Sequence, residues 1–161
     1  MFRKDGQKKE SFNVNDLVRD IFALVRGELE RHKIVLRSEL REDLPKIAGE
    51  RVPLQQVLLN LIMNAVEAMV SVTDRARVLR VSSNTIEEAY GVAVTVEDSG
   101  MGIAGKDKDR IFEAFFTTKP EGMGMGLSIC QSIVEAHGGR LWVTPGMPQG
   151  SVFHVQLPIG G

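Results

Sequence analysis

The stretch PLQQVLLNLIMNAVEAM, residues 53–69, decides the fold class. Leu54, Val57, Leu58, Leu61, Ile62, Ala65 and Met69 recur at three- and four-residue intervals, the period of one helix face. The apolar stripe is wide and regular, which predicts an amphipathic helix with one face in a core. Pro53 suits its first turn, where no intrahelical N–H is needed. Asn60, Asn64 and Glu67 fall together on a stripe bordering the apolar face. Asn is a poor helix former with both a donor and an acceptor, so two of them one turn apart beside a core need polar partners. A hard cation such as Mg²⁺ is one candidate, because it takes one or two protein oxygens together with phosphates and waters. Backbone groups, or the two amides bonding each other, would satisfy them as well.

Working outward, Leu17, Ile21, Leu24, Val25 and Leu29 predict an amphipathic helix ending near His32. Residues 33–40 alternate like a strand, and 46–50 read as a second one. Residues 78–86 and 92–97 are β-rich, and Glu87, Glu88 and Gly91 between them predict a hairpin. From Gly100 to Gly126 the chain loses periodicity, apart from a short helical piece at Asp109 to Phe112. A loop this long in a compact domain is functional or disordered. Leu127 to His137 is a second periodic helix stopped by Gly138-Gly139, and residues 140–144 and 151–157 are closing strands. The expected fold is α+β: a two-layer α/β sandwich of a mixed, mostly antiparallel sheet with helices on one face. Residues 1–10 read as a linker or the end of an upstream helix, and 11–161 as the domain.

Three further motifs carry chemistry. Asp98 ends the strand VAVTVED and precedes Ser99-Gly100-Met101-Gly102. A carboxylate there accepts a hydrogen bond from an exocyclic amine, and glycines let backbone approach a flat ring. Asp-Ser-Gly is equally a turn string. Gly122-Met123-Gly124-Met125-Gly126 opens a helix, where free N–H groups attract phosphate; a hinge is the bland alternative. Phe112, Phe115 and Phe116 should anchor the polar loop to something apolar. Lys119 after Thr117-Thr118 is either a partner for a terminal phosphate or a solvated surface cation.

The bulk numbers exclude other classes. At 161 residues with 43% hydrophobic and 25% charged, the chain supports a folded core. A net charge of −1 gives no global attraction to nucleic acid or membrane. The single Cys allows no intrachain disulfide, and Cys130 in LSICQSIV reads as a buried structural thiol, which fits a cytoplasmic domain. His32, His137 and His154 are too scattered for a zinc site and read as structural.

Together, these motifs resemble the catalytic ATP-binding domain of sensor histidine kinases, in the superfamily shared with DNA gyrase, MutL and certain chaperones. The resemblance runs from about Ser11 to Pro158. Asn60 to Ala68 is similar to the N box, Asp98 to Gly102 to the first G box, Phe112 to Lys119 to the F box and Gly122 to Gly126 to the second G box. Gly150-Ser151, Phe153 and Leu157-Pro158 are similar to the family's closing strand. The resemblance implies the Bergerat ATP-binding fold, ATP and Mg²⁺ as ligands, Asn64 as metal ligand and Asn60 as its support. It implies that Asp98 binds the adenine amine and that Gly100, Gly102 and Ile103 line the ring, with Glu67 nearby. Residues 105–121 would be an ATP lid. Phe115, Thr118, Lys119, Gly122, Met123, Gly124, Met125, Gly126 and Leu127 would face the nucleotide, Lys119 acting with Asn60 in catalysis.

The superfamily's ATPases place a Glu one turn before the metal Asn. Here that position is Asn60, which cannot act as a carboxylate base, so the site should keep ATP for transfer. None of the three His lies in the family's phosphoacceptor context. The expected reading is the catalytic half of a larger sensor kinase. Its partners would be an upstream dimerisation and phosphoacceptor domain and a response regulator receiver domain, with no nucleic acid and no direct membrane contact. A serine kinase of the anti-sigma-factor type and a non-catalytic nucleotide-binding module are the alternatives.

Overall fold

The computed structural model describes residues 9–86, 91–103, 111–113, 126–146 and 149–159. The elements run β1 (Glu10–Phe12), α1 (Val14–Arg31), β2 (Ile34–Leu40), β3 (Ile47–Gly49), α2 (Arg51–Val70), β4 (Arg77–Ile86), β5 (Gly91–Asp98), α3 (Gly126–Ala136), β6 (Arg140–Pro145) and β7 (Ser151–Pro158). A five-stranded sheet has the order β2-β4-β5-β7-β6, parallel at β2/β4 and antiparallel elsewhere. The expected mixed, mostly antiparallel sheet with helices on one face is what the chain forms. β1 and β3 make a separate antiparallel pair that the sequence reading did not include for β1. Three residues flanked by polar ones carry too little alternation to register as a strand. Of the helical piece expected at Asp109 to Phe112, Ile111 and Phe112 form a turn, and the other two residues lie outside the described ones.

Strand alternation explains the layer. Leu79, Val81 and Ser83 of β4, Val92, Val94 and Val96 of β5, and Phe153, Val155 and Leu157 of β7 are buried and share parity on one sheet face. The helices cover that face: α2 packs on β4 and β5 between α1 and α3, and α3 reaches β6 and β7. All seven apolar residues of the predicted α2 stripe are buried, joined by Val66. Each such Val, Leu or Ile contributes roughly 1.5–3 kcal/mol relative to exposure.

Polar side chains close the ends of the layer. The Asn13 side chain caps α1 by accepting from the Asn15 N–H at 2.9 Å. Asn15, itself buried, donates to the Arg41 carbonyl at 2.8 Å and accepts from Ser83 Oγ at 2.7 Å, tying α1 to β4 and to the residue that follows β2. Arg77 donates to the carbonyls of Val72 at 3.0 Å, His32 at 2.6 Å and Val70 at 2.8 Å. One guanidinium thus satisfies carbonyls at the C-terminal ends of both α1 and α2, where helices leave them unpaired. The His32 ring lies 3.5 Å from the Glu28 carboxylate one turn back. The His137 ring does bond its helix, Nδ1 lying 2.8 Å from the Ile133 carbonyl, while Nε2 accepts from the Glu50 N–H at 3.0 Å. It thereby joins the end of α3 to the start of α2.

The opposite face of the sheet is partly open to solvent. There the His154 ring stacks on Trp142 at 4.9 Å and 5°, with its Nε2 2.8 Å from Thr144 Oγ1. Arg140 covers the same indole at 4.5 Å. Partial burial holds the His154 ring below the usual imidazole range, with Glu97 opposing that shift. Trp142 is the only tryptophan, so its emission reports this ring. A cationic imidazole quenches indole, so emission should fall on acidification with a midpoint below 6.5, the ordinary value, and His154→Gln should remove the transition. The folded ring is the weaker base. Its contribution to stability is therefore present above pH 6.5 and lost as pH falls through the folded pKa. A midpoint above 6.5 in the emission titration would contradict the stacked, partly desolvated ring.

Candidate functional site

The site is built along α2. Its Ala68 carbonyl lies against Gly100, and its Asn60 amide nitrogen reaches Cys130 Sγ on α3 at 3.6 Å. Eight residues separate these two points, about 12 Å along the axis at 1.5 Å per residue. The C-terminal end of the helix therefore abuts the loop after Asp98, and its middle abuts α3. Asn60 and Asn64 are half-buried and Glu67 is exposed. The two Asn do not bond each other. The Asn60 amide faces the thiol, and the Asn64 side chain makes no hydrogen bond among the described residues. Burial pushes the Cys130 thiol up to about 11, opposed by the Asn60 hydrogen bond, so it stays protonated and structural at neutral pH.

Asp98 ends β5 at the same parity as Val92, Val94 and Val96, so its carboxylate turns to the helical side and is buried. Its Oδ1 accepts from the Gly100 N–H at 2.8 Å, which is the Asp-Ser-Gly turn the sequence allowed. Turn and ligand roles are therefore not exclusive, because a carboxylate has about four lone-pair sites. In the sheet register Asp98 faces Ser151, also buried. Gly100 is a glycine because of α2: a Cβ there would stand 2.5 Å from the Ala68 carbonyl oxygen. Gly102 has φ +84°. Gly102 and Ile103 line a cavity of about 250 Å³ whose other wall is Val143 to Gly146 and Gln149 to Ser151. That cavity touches the Asp98 end of the site and includes neither Asn60 nor Asn64.

Gly126 and Leu127 form the start of α3. A Cβ on Gly126 would meet open space, so packing among the described residues does not demand glycine there. Phe112 meets Phe153 edge to face at 6.4 Å, and Ile111 is in the core, which anchors this part of the loop as expected. Phe115, Thr118, Lys119, Gly122, Met123, Gly124 and Met125 lie outside the described residues.

Around Asp98, sequence reasoning did not single out Arg75, and it quoted Ser99 and Ser151 only within their motifs. Arg75 donates to the Ser99 carbonyl from Nε at 3.3 Å and Nη2 at 3.1 Å, and to the Gly100 carbonyl from Nη2 at 2.8 Å. Ser99 Oγ accepts from the Val78 N–H at 2.9 Å and bonds the Ala76 carbonyl at 3.1 Å. Arg75 sits in a polar connection where no periodicity marks it. Ser151 did carry a signal, as a polar residue at the apolar parity of SVFHVQLP.

A sequence model of the family described as histidine kinase-, DNA gyrase B- and HSP90-like ATPase matches residues 49–161. The chain belongs to that family. The sensor histidine kinase ZraS of Escherichia coli is 37% identical over 93% of the chain and 31% of its own length. The catalytic domain of the histidine kinase ThkA, solved nucleotide-free, superposes with a TM-score of 0.83 at 33% identity, covering 95% of this chain and 97% of that one. ThkA solved in complex with the response regulator TrrA matches with a TM-score of 0.78 at 31% identity, over 93% of this chain and 41% of that one. The histidine kinase catalytic domain is thus the fold and class of this chain. The chain spans under a third of the length of the curated relatives it matches, for example 27% of the sensor protein TdiS of Thauera aromatica. No helix of this histidine kinase domain, among the described residues, is long and apolar enough to cross a membrane.

Proposed function

We propose that this domain binds ATP with Mg²⁺ along α2 and donates the γ-phosphoryl group to a His on a separate dimerisation and phosphoacceptor domain. The observation that carries the reading is the buried Asp98 carboxylate, set by the Gly100 N–H on the helical side of the sheet, beside the helix that bears Asn64. Asp98 accepts from the adenine amine, and Gly102 and Ile103 line the ring. Glu67 lies outward on the same helix stripe. The N-terminus of α3 at Gly126 and Leu127 presents N–H groups to phosphate, and the family resemblance implies nucleotide contact for Gly122 to Met125, Phe115, Thr118 and Lys119.

The donor set fits Mg²⁺ better than a metal needing a full protein cage. Among the described residues no group of three or more His, Cys, Asp and Glu could hold an ion. Asn64 offers one half-buried oxygen, and phosphates and waters complete such a shell. When bound, Mg²⁺ neutralises charge on the phosphates. Asn60 supports Asn64 from one turn away and brings no carboxylate to activate water, which favours transfer over hydrolysis. From the acceptor the phosphoryl group would pass to a response regulator receiver domain, as the ThkA–TrrA pairing supports. The membrane and nucleic acids play no direct part, and the domain works in the cytoplasm.

The test supplies the missing half of the reaction. Incubated with labelled ATP and a dimerisation and phosphoacceptor domain of a related kinase, the chain should place acid-labile, base-stable label on that domain. The chain alone should stay unlabelled. Label on Ser would favour the anti-sigma type of kinase, and ATP binding without any transfer would favour a non-catalytic module.

A further inference from the structure

We infer that Arg75 is a positioning residue for adenine recognition, holding Asp98 and the loop after it from behind. This inference rests on the reading of Asp98 as the adenine acceptor. Gly100 is gripped at both of its backbone groups. Its N–H donates to Asp98 Oδ1 at 2.8 Å, and its carbonyl accepts from Arg75 Nη2 at 2.8 Å. The same guanidinium reaches the Ser99 carbonyl from two nitrogens, and Asp74 holds its remaining arm through Nη1 at 3.1 Å. Ser99 is fixed a second time through its hydroxyl to Val78 and Ala76, next to Arg75 in the chain.

These bonds have a common direction. They run from the connection between α2 and β4 to the turn that follows β5. A guanidinium presents its donors in a rigid planar fork, so two bonds to the Ser99 carbonyl, backed by one to the Gly100 carbonyl, fix the Ser99–Gly100 peptide plane as a single point charge cannot. That plane carries the N–H that orients the Asp98 carboxylate. Arg75 therefore sets where the adenine acceptor points without touching the nucleotide. Lys in its place reaches one carbonyl and leaves the plane free to turn.

The test compares ATP with purine riboside triphosphate, which lacks the 6-amino group, by calorimetry on wild type, Arg75→Ala and Arg75→Lys. Arg75→Ala should raise the Kd for ATP about tenfold while changing that for purine riboside triphosphate less than about twofold, the loss of one well-oriented bond. Arg75→Lys should fall between, and it remains informative if Arg75→Ala does not fold. Hydrogen exchange of the Gly100 amide is read in parallel without nucleotide, and it should accelerate in both variants. Equal weakening toward both nucleotides would overturn the inference in favour of a general structural role, and so would unchanged Gly100 protection. If wild type fails to distinguish the two nucleotides while Gly100 exchange still accelerates, the adenine assignment of Asp98 falls and the hold by Arg75 stands.

Discussion

Asp98→Asn is expected to remove useful ATP binding, raising Kd roughly a hundredfold, the scale of a lost hydrogen bond to a charged group. The substitution keeps shape and volume, so the fold should survive. What changes is which atom faces the base. The Gly100 N–H, 2.8 Å from Oδ1, requires an acceptor on that arm. An Asn must therefore turn its amide oxygen to Gly100 and its NH₂ to the other side, where adenine's amine would arrive. A donor then meets a donor, and a site built for one hydrogen-bonding pattern rejects its complement strongly. The same geometry predicts that selectivity against a 6-keto purine relaxes, because a keto oxygen accepts from that NH₂. Calorimetry with ATP and GTP on wild type and variant checks both effects. An unchanged ATP affinity with an intact fold would remove Asp98 from the base site.

The second large effect is on stability. Gly150→Ala should destabilise the domain by about 3 kcal/mol or more, through a strained backbone and a clash together. Gly150 has φ +96°, and a Cβ there would be driven into the Asp98 carbonyl oxygen, with Ser99 Cα only 3.1 Å away. Its own carbonyl closes the β6–β7 turn by accepting from the Gly146 N–H at 2.9 Å, so the residue cannot simply swing out. For a domain of this size that cost lowers Tm by about 6–12 °C. Gly126→Ala is the informative contrast, since a Cβ there, in a helix, meets none of the described residues. It should leave Tm unchanged or slightly higher. A Gly150→Ala Tm within about 2 °C of the parent would mean that the backbone relaxes away from Asp98 and would overturn this reading.

Much of the fold is legible because period and parity are local properties. The stripe from Leu54 to Met69 places α2 against a layer, and Val92, Val94 and Val96 place β5 with one face inward. Continuing that parity by one step puts Asp98 on the helical side, which makes its polarity informative. The sheet order is not legible in this way. β2 lies beside β4 although β3 and α2 separate them in the chain, and β7 inserts between β5 and β6. Strand neighbours are set by contacts between segments distant in the chain, and no local pattern records that choice. Glycines mislead for a related reason. Gly100 is demanded by the Ala68 carbonyl of α2 and Gly150 by the Asp98 strand end, whereas at Gly126 no described residue makes such a demand.

Sequence alone determined the chemical inventory: amides beside a core on one helix, a carboxylate closing a strand, glycines opening another helix, and no carboxylate one turn before Asn64. Tertiary structure alone decided what stands behind that inventory. It brought Arg75 onto the Ser99 and Gly100 carbonyls, Ser151 opposite Asp98, and Cys130 under the Asn60 amide. Periodicity tells each side chain which face it occupies. The partner it meets there comes from segments distant in the chain, brought together by burial of the shared core.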